Sequence, residues 1–176
     1  MEIKSFTYSR LFSYSVTFGL SILLILLIIR SSELKDQSQL RVLIYFGVFI
    51  LVFLGMVIVK FLIPSINQNP ALELNELSLI DKVRNREVDW ENIKDIRLTS
   101  FGGRGAGICI DLIDKGLFLS YLNTLQKLLS WISNLSYGTP FVLPFQYISG
   151  SNQEIFEAIV SYRSQLSTRQ AAKKIW

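Results

Sequence analysis

Two long apolar runs dominate the first third of the chain: LFSYSVTFGLSILLILLII at residues 11–29 and VLIYFGVFILVFLGMVIVKFLI at residues 42–63. The first run contains no charged residue, and the second contains only Lys60, close to its end. A helix over residues 11–29 is about 28 Å long, close to the ~30 Å hydrocarbon core of a bilayer. The two runs therefore predict two membrane-spanning helices.

The composition of the whole chain agrees with a membrane hairpin joined to a soluble domain. Of the 176 residues, 50% are hydrophobic and only 18% are charged, and the mean hydropathy is +0.37. Outside the two runs the apolar content falls within the range of globular proteins. High apolar content, a single cysteine and the lack of a long heptad run exclude a disordered chain, a secreted disulfide scaffold and a coiled coil.

Only residues 30–41 separate the two runs, so the predicted helices are antiparallel neighbours and both chain ends lie on one side. The first run is too long for a signal peptide and has no small-residue cleavage site after it. Basic residues near the helix ends favour a cytoplasmic location for both termini. Those on the terminal side are Lys4, Arg10, Lys60, Lys82, Arg84 and Arg86, and those in the connecting loop are Arg30, Lys35 and Arg41.

The remaining sequence predicts one soluble domain over residues 71–166, after a linker at 64–70. Residues 1–10 are predicted as an N-terminal cytoplasmic segment, and residues 167–176 as a basic C-terminal tail. Strands are predicted where apolar and polar residues alternate, at 71–74, 77–80 and 93–100. Further strands are predicted at 88–90, at the strand-like run 108–113 and at the short apolar run 141–143. Ser151 and Glu154 form a capping-box pattern that begins a terminal helix.

The period changes to that of a helix over residues 118–135, which predicts an inserted amphipathic helix with Lys127 as its only charge. Three surfaces remain open for its apolar face: the sheet of the same domain, a partner subunit or the bilayer. The scarcity of basic residues favours the sheet or a partner over lipid.

No residue pattern in the sequence predicts catalysis, a cofactor or a metal site. Histidine is absent, and Cys109 is the only cysteine, so neither a thiolate metal site nor an activated thiol is expected. The glycines at 102–107 do not follow a phosphate-binding spacing and have no helix after them. They predict a connection between two antiparallel strands, with Arg104 at its tip. The net charge of +4 lies mostly beside the apolar runs, so no nucleic-acid partner is expected.

Taken in order, these elements resemble a family of small, uncharacterised bacterial inner-membrane proteins in which two transmembrane helices precede a pleckstrin-homology-like (PH-like) domain. The resemblance rests on NPALEL at 69–74, LID at 79–81, VDWENIKDI at 88–96, YGTP at 137–140 and the capped helix from Ser151. It implies an α+β fold, with a bent antiparallel sheet and a C-terminal capping helix. It also implies location in the inner membrane. Trp90 is expected to be a buried structural residue.

The leading hypothesis is a membrane-anchored, non-enzymatic interaction module, which presents the PH-like domain at the cytoplasmic surface for protein, self or lipid contacts. Its partners would be the lipid bilayer and either a second copy of the chain or another membrane protein. The alternative is a subunit of a multimeric transport or channel assembly, with the domain as its regulatory part. The lack of ionisable residues within the spans disfavours that alternative.

Overall fold

Residues on both sides of the two apolar helices belong to the same structural unit. The structure, a computed structural model, describes residues 3–34, 36–100 and 106–173. It divides into a helical unit, Tyr8–Asn69, and an α+β unit built from the residues on both sides of it. In sequence, the helical unit is therefore an insertion between the first strand of the α+β unit and its remaining elements.

The helical unit contains two helices that are long and apolar enough to cross a membrane, Arg10–Ser32 and Gln37–Ile66. Their elements are α1 (Arg10–Glu33), α2 (Gln37–Val57), a π turn (Ile58–Leu62) and α3 (Ile63–Ile66). In the most apolar 18-residue stretch of each helix, only 6% of the residues of the first helix and 17% of those of the second are buried. A core helix of a soluble protein would instead be mostly buried, so the exposed apolar surface favours a lipid environment.

Both helices extend beyond the predicted limits of 11–29 and 42–63. Polar N-caps lengthen them, because the side chain of Ser9 accepts from the Phe12 amide at 3.3 Å and Asp36 accepts from Ser38 at 2.9 Å. The predicted end of the second helix at residue 63, just before Pro64, is wrong, since the helix continues to Ile66. The π turn just before it widens the backbone where the proline ring would otherwise meet a carbonyl of the preceding turn.

Helices α1 and α2 pack against each other as antiparallel neighbours. Ser13 is buried, and its hydroxyl donates to the carbonyl oxygens of Ser9 at 2.8 Å and Phe61 at 3.3 Å. The rings of Phe12 and Phe61 meet edge to face at 5.6 Å. The small polar residue Ser13 thus lies where the first helix contacts the second, as expected for a packed hairpin.

The α+β unit contains two antiparallel sheets where the sequence predicted one bent sheet. The four-stranded sheet has the order β1 (Lys4–Thr7), β2 (Pro70–Leu74), β3 (Ser78–Asp81), β4 (Arg86–Asp89). Strand β1 is not predicted by the sequence pattern; it lies within the segment 1–10 and pairs Phe6 with Leu72. Strand β2 begins at Pro70, inside the predicted linker 64–70, because this pairing satisfies its backbone.

The three-stranded sheet has the order β5 (Ile93–Ser100), β6 (Ala106–Leu112), β7 (Phe141–Pro144). Strands β5 and β6 are antiparallel, and Ser100 pairs with Ala106. The predicted glycine connection, including Arg104, lies outside the described residues apart from Ala106 and Gly107. The antiparallel pairing on both sides of it agrees with a strand-to-strand connection.

The C-terminal helix, Asn152–Lys173, supplies part of the core. In the order of the chain it is α6, after α4 (Lys115–Ser120) and α5 (Thr124–Tyr137). Ser151 caps it as predicted, since its hydroxyl accepts from the Glu154 amide at 3.1 Å. Ile155 and Ile159 are fully buried. The tail predicted at 167–176 is helical as far as Lys173, because the turns that begin at Ser151 continue without a breaking residue; residues 174–176 lie outside the described residues.

Trp90 occupies the core position that the sequence predicted. It begins a 3₁₀ turn, Trp90–Asn92, and is 7% exposed. Its indole Nε1 donates to the carbonyl of Asn75 at 2.8 Å, and its ring stacks on Tyr162 at 5.7 Å. The residue therefore joins the turn before β3 to helix α6 and satisfies its one polar group internally.

Candidate functional site

The amphipathic segment predicted as one helix over 118–135 is two helices, α4 and α5. Asn123 causes the break, because its side chain accepts from the Gln126 amide while the Gln126 side chain accepts from the Asn123 amide, both at 2.9 Å. This reciprocal capping box starts a new helix. Gly138, in a left-handed conformation with φ of 76°, ends it.

Helix α5 faces the rest of its unit with a polar side. Gln126 donates from Nε2 to the carbonyl oxygens of Arg84 at 3.1 Å and Asn85 at 2.8 Å. Ser130, one turn further along, is fully buried. Asn134, a further turn along, accepts at Oδ1 from Lys115 Nζ at 2.8 Å. Residues at this spacing share one side of a helix, so the hydrogen bonds of Gln126 and Asn134 and the burial of Ser130 attach α5 to the rest of its unit.

The opposite side of α5 is apolar and exposed. We call it the α5 apolar face, and it consists of Leu125, Leu128, Leu129, Trp131, Ile132 and Leu135. These side chains are between 46% exposed, at Ile132, and 66% exposed, at Leu125 and Leu135. At 100° per residue they cover an arc of roughly 160°. The sheet of this chain therefore does not cover the face, which removes one of the three surfaces left open by the sequence.

This face is too large and too continuous for scattered surface exposure. Six half-exposed side chains represent roughly 5–9 kcal/mol of burial energy that the described residues of this chain do not capture. Lys127 is the only charged residue of α5. A contiguous apolar surface of this kind marks contact with another molecule.

A buried ion pair closes the β3–β4 loop, which contains the Arg84 and Asn85 carbonyls that accept from Gln126 of α5. Arg86 and Asp81 have side chains that are 3% exposed, and Arg86 Nη2 donates to Asp81 Oδ2 at 2.9 Å. The same nitrogen donates to the carbonyl of Val142 at 2.9 Å, and the guanidinium lies 4.6 Å from the centre of the Phe141 ring. Burial lowers the pKa of Arg86 from its usual value, and the charge of Asp81 opposes that shift. The pair joins the β3–β4 hairpin to β7, and this arrangement is structural.

A groove of about 520 Å³ lies between the β3–β4 hairpin and helix α4. Its walls mix charged, polar and apolar side chains, and Tyr121 at its rim is 79% exposed. The lining includes Lys82, Asn85, Arg86, Glu87, Asn92 and Leu117. Arg86 contributes no unpaired charge to the groove, because its guanidinium already donates to Asp81 and to the carbonyl of Val142.

Within the described part of the chain, no three His, Cys, Asp or Glu side chains come together where a metal ion could bind. Cys109 is buried in β6, with 1% of its surface exposed. Asp111, on the same strand, is engaged by Arg97, whose Nη2 donates to it at 2.9 Å. The α5 apolar face is therefore the feature that most clearly calls for a partner.

No protein-family model, curated protein or solved structure matches the chain. The resemblance to bacterial inner-membrane proteins with a PH-like domain therefore stays a prediction. It rests on the residues quoted above, among them those around Trp90.

Substitution of Ser130 tests the packing of the polar side of α5. The Ser130 hydroxyl has no hydrogen-bond partner among the described residues, so Ser130→Ala is expected to raise the free energy of unfolding by about 1 kcal/mol. Ser130→Leu is expected to lower it by about 1–3 kcal/mol, because no space is left for the larger side chain. Urea unfolding of the full chain in detergent, followed by near-UV circular dichroism, measures both.

Ser133→Ala is the matched control for these variants. Ser133 is only partly buried, and its hydroxyl donates to the Leu129 carbonyl of its own helix at 3.0 Å. Its change should stay within about 0.5 kcal/mol. Equal stability of Ser130→Leu and the unsubstituted protein would show that this side of α5 is not packed.

Proposed function

We propose that the chain is a non-enzymatic integral membrane protein that presents a PH-like domain at the cytoplasmic surface of a bacterial inner membrane as an interaction module. The single observation that carries the proposal is the α5 apolar face, which is exposed on a folded unit of the same chain as two apolar helices. A contiguous apolar surface that is exposed on a folded unit marks a site where a partner binds and buries it.

The architecture supports the PH-like part of the proposal. Two antiparallel sheets precede a C-terminal helix, and Ile155 and Ile159 of that helix are fully buried. Helices α4 and α5 are an insertion between β6 and β7. Domains of this general fold bind different partners at different surfaces, so the fold does not identify the partner and the exposed face is the better guide to it.

The transport alternative receives less support from the helical unit. The hydroxyls of Ser13, Thr17 and Ser21 each donate to the carbonyl four residues earlier in α1, at 2.8, 2.8 and 2.9 Å. These hydroxyls are thus used within the helical unit, where Ser13 also donates to the Phe61 carbonyl. A pathway for a polar substrate would need groups that face it.

A topology experiment tests the proposal. In a Cys109→Ala background, Leu77→Cys places a thiol on the α+β unit where the native side chain is 79% exposed. Gln39→Cys places one near the connection between α1 and α2, also at an exposed position. A membrane-impermeant maleimide is expected to label Leu77→Cys only in inverted inner-membrane vesicles, and Gln39→Cys only in intact spheroplasts. Each variant is the control for the other.

Alkaline carbonate extraction completes this test. An integral protein stays in the membrane pellet, because the helices bury apolar surface in lipid and need no surface charge to remain there. Release into the supernatant would contradict membrane integration. Labelling of Leu77→Cys in intact spheroplasts would contradict the cytoplasmic orientation.

A further inference from the structure

We propose that the α5 apolar face docks on the lipid surface of the membrane in which the chain is anchored. This inference rests on the proposed function, because it requires the two apolar helices to span the bilayer. Helix α5 then lies in the interface as an amphipathic helix, with its apolar side chains among the outer acyl chains.

Two short connections join the α+β unit to the helical unit. Strand β1 ends at Thr7 and α1 begins at Arg10, while α3 ends at Ile66 and β2 begins at Pro70. Two or three residues separate these ends, and a stretch of that length reaches about 10 Å at most. A double tether this short makes lipid contact effectively intramolecular and raises the local concentration of bilayer surface.

The short connections also explain how α5 can contact lipid with only one basic residue. Free amphipathic helices use several Lys or Arg residues to reach anionic lipid, and α5 has only Lys127. A unit already held at the surface needs no electrostatic capture, so apolar burial is sufficient.

The chemistry of the face suits the interfacial region of a bilayer. Helix α5 contains no acidic residue, so no carboxylate must be desolvated when it docks. Trp131 lies at one border of the face and is 58% exposed, and Tyr121 precedes the helix and is 79% exposed. Trp and Tyr prefer the headgroup level, where the ring is buried and the polar atom stays hydrated.

A second copy of the chain fits this face less well. Helix α5 has 14 residues, which makes it about 21 Å long and 10 Å wide, so contact through it buries roughly 200–400 Å² per copy. Two copies would then bury less than the ~1,200 Å² of a stable protein interface. A bilayer can cover the whole face without matching its shape.

Depth-dependent quenching in proteoliposomes tests the proposal on the full chain. An environment-sensitive fluorophore is attached at Ile132→Cys or Leu129→Cys in the Cys109→Ala background. Leu77→Cys and Ile113→Cys are the controls, since both native side chains are exposed and apolar but lie outside α5. Vesicles contain phosphatidylcholine and phosphatidylglycerol with bromine at a shallow or a deep acyl position.

Probes on the face are expected to lose about half of their emission to shallow bromine and less to deep bromine, consistent with burial of about 5–10 Å. The control probes are expected to keep their emission and to be quenched by aqueous iodide. Leu125→Asp combined with Ile132→Cys should return the α5 probe to the iodide-accessible state, with the near-UV dichroism unchanged.

Two results would overturn the inference. Iodide quenching at Ile132 in vesicles that retain the protein after carbonate treatment would show that the face stays in water, while the proposed anchoring stands. Protection from both quenchers, together with disulfide formation between unlabelled Ile132→Cys chains on addition of an oxidant, would assign the face to a second copy. Loss of the protein from the vesicles after carbonate treatment would instead reject the proposed function itself.

Discussion

Asp81→Asn is expected to lower the free energy of unfolding of the α+β unit by about 3–5 kcal/mol. Asparagine has the shape of aspartate and still accepts the hydrogen bond that the Arg84 amide makes to Asp81 Oδ1 at 3.1 Å. The change therefore removes the negative charge and also the acceptor Oδ2, because the amide NH2 of asparagine then faces Arg86 Nη2. Arg86, whose side chain is 3% exposed, would keep a buried positive charge without its counter-ion, and that desolvation cost is what the unfolding measurement detects.

Asp111→Asn is the matched control, because Asp111 also pairs with an arginine but on the surface. Arg97 and Asp111 have side chains that are 50% and 27% exposed, with a nitrogen to oxygen distance of 2.9 Å. Water screens this pair, so its loss should cost about 0–1 kcal/mol. Thermal or urea unfolding of full-length protein in detergent compares the two variants. Similar losses at Asp81 and Asp111 would contradict the structural role assigned to the buried pair.

A double variant separates the charge from the packing. Asp81→Leu combined with Arg86→Met removes both charges and keeps apolar volume at both positions. Because replacement of a whole buried pair is often neutral, most of the stability lost in Asp81→Asn should return. Val142 keeps one donor for its carbonyl in this variant, since Arg84 Nη1 also reaches it at 3.0 Å. Failure to recover would mean that the hydrogen bonds lost with the pair, from Arg86 to β7 and from the Arg84 amide to Asp81, matter more than the charge balance.

Phe6→Ala is expected to lower the free energy of unfolding of the same unit by about 3 kcal/mol. Phe6 is 7% exposed, and it lies on β1 opposite Leu72, which is fully buried. Truncation to alanine leaves a cavity at the edge of the four-stranded sheet. A separate N-terminal segment, as predicted for residues 1–10, would not affect the stability of the α+β unit. A large loss in Phe6→Ala would therefore show that β1 is part of that unit.

Ile3→Ala provides the comparison for Phe6→Ala, since Ile3 is only three residues away and is 64% exposed. Its effect should stay within about 0.5 kcal/mol. Near-UV dichroism is a suitable signal, because Trp90 and Tyr162 stack within the same unit at 5.7 Å. Equal unfolding midpoints for Phe6→Ala and Ile3→Ala would show that β1 does not contribute to the stability of the unit.

The apolar helices and most strands could be predicted from local pattern alone. Long uncharged runs, alternation around Leu72 and Ile108, and the Ser151 cap each depend on residues close together in the chain. Helix limits were predicted less well, since caps such as Asp36 and the π turn before Pro64 extend the helices beyond the apolar residues. The break at Asn123 escaped prediction for a similar reason: its capping box competes with an otherwise continuous helical period.

Long-range partners could not be predicted in the same way. Strand β1 is only four residues long, Lys4–Thr7, and its pairing with β2 spans more than sixty positions of sequence. The pairing of Asp81 with Arg86 is local, but its burial depends on β7, which supplies Val142 and Phe141. The pattern of apolar and polar residues around Arg86 does not indicate that a strand more than fifty residues away will bury its charged side chain.

Helix α5 separates the two kinds of information most clearly. Its amphipathic pattern is visible in the sequence, because a helical period depends only on the order of apolar and polar residues. Which side faces inward was decided by tertiary contacts: Gln126 reaches the β3–β4 loop, Ser130 fits against the unit, and Lys115 holds Asn134. These polar attachments turn the leucines outward. Sequence alone established that the helix has an apolar side, and only the packing of its polar side established that this apolar side is left for a partner.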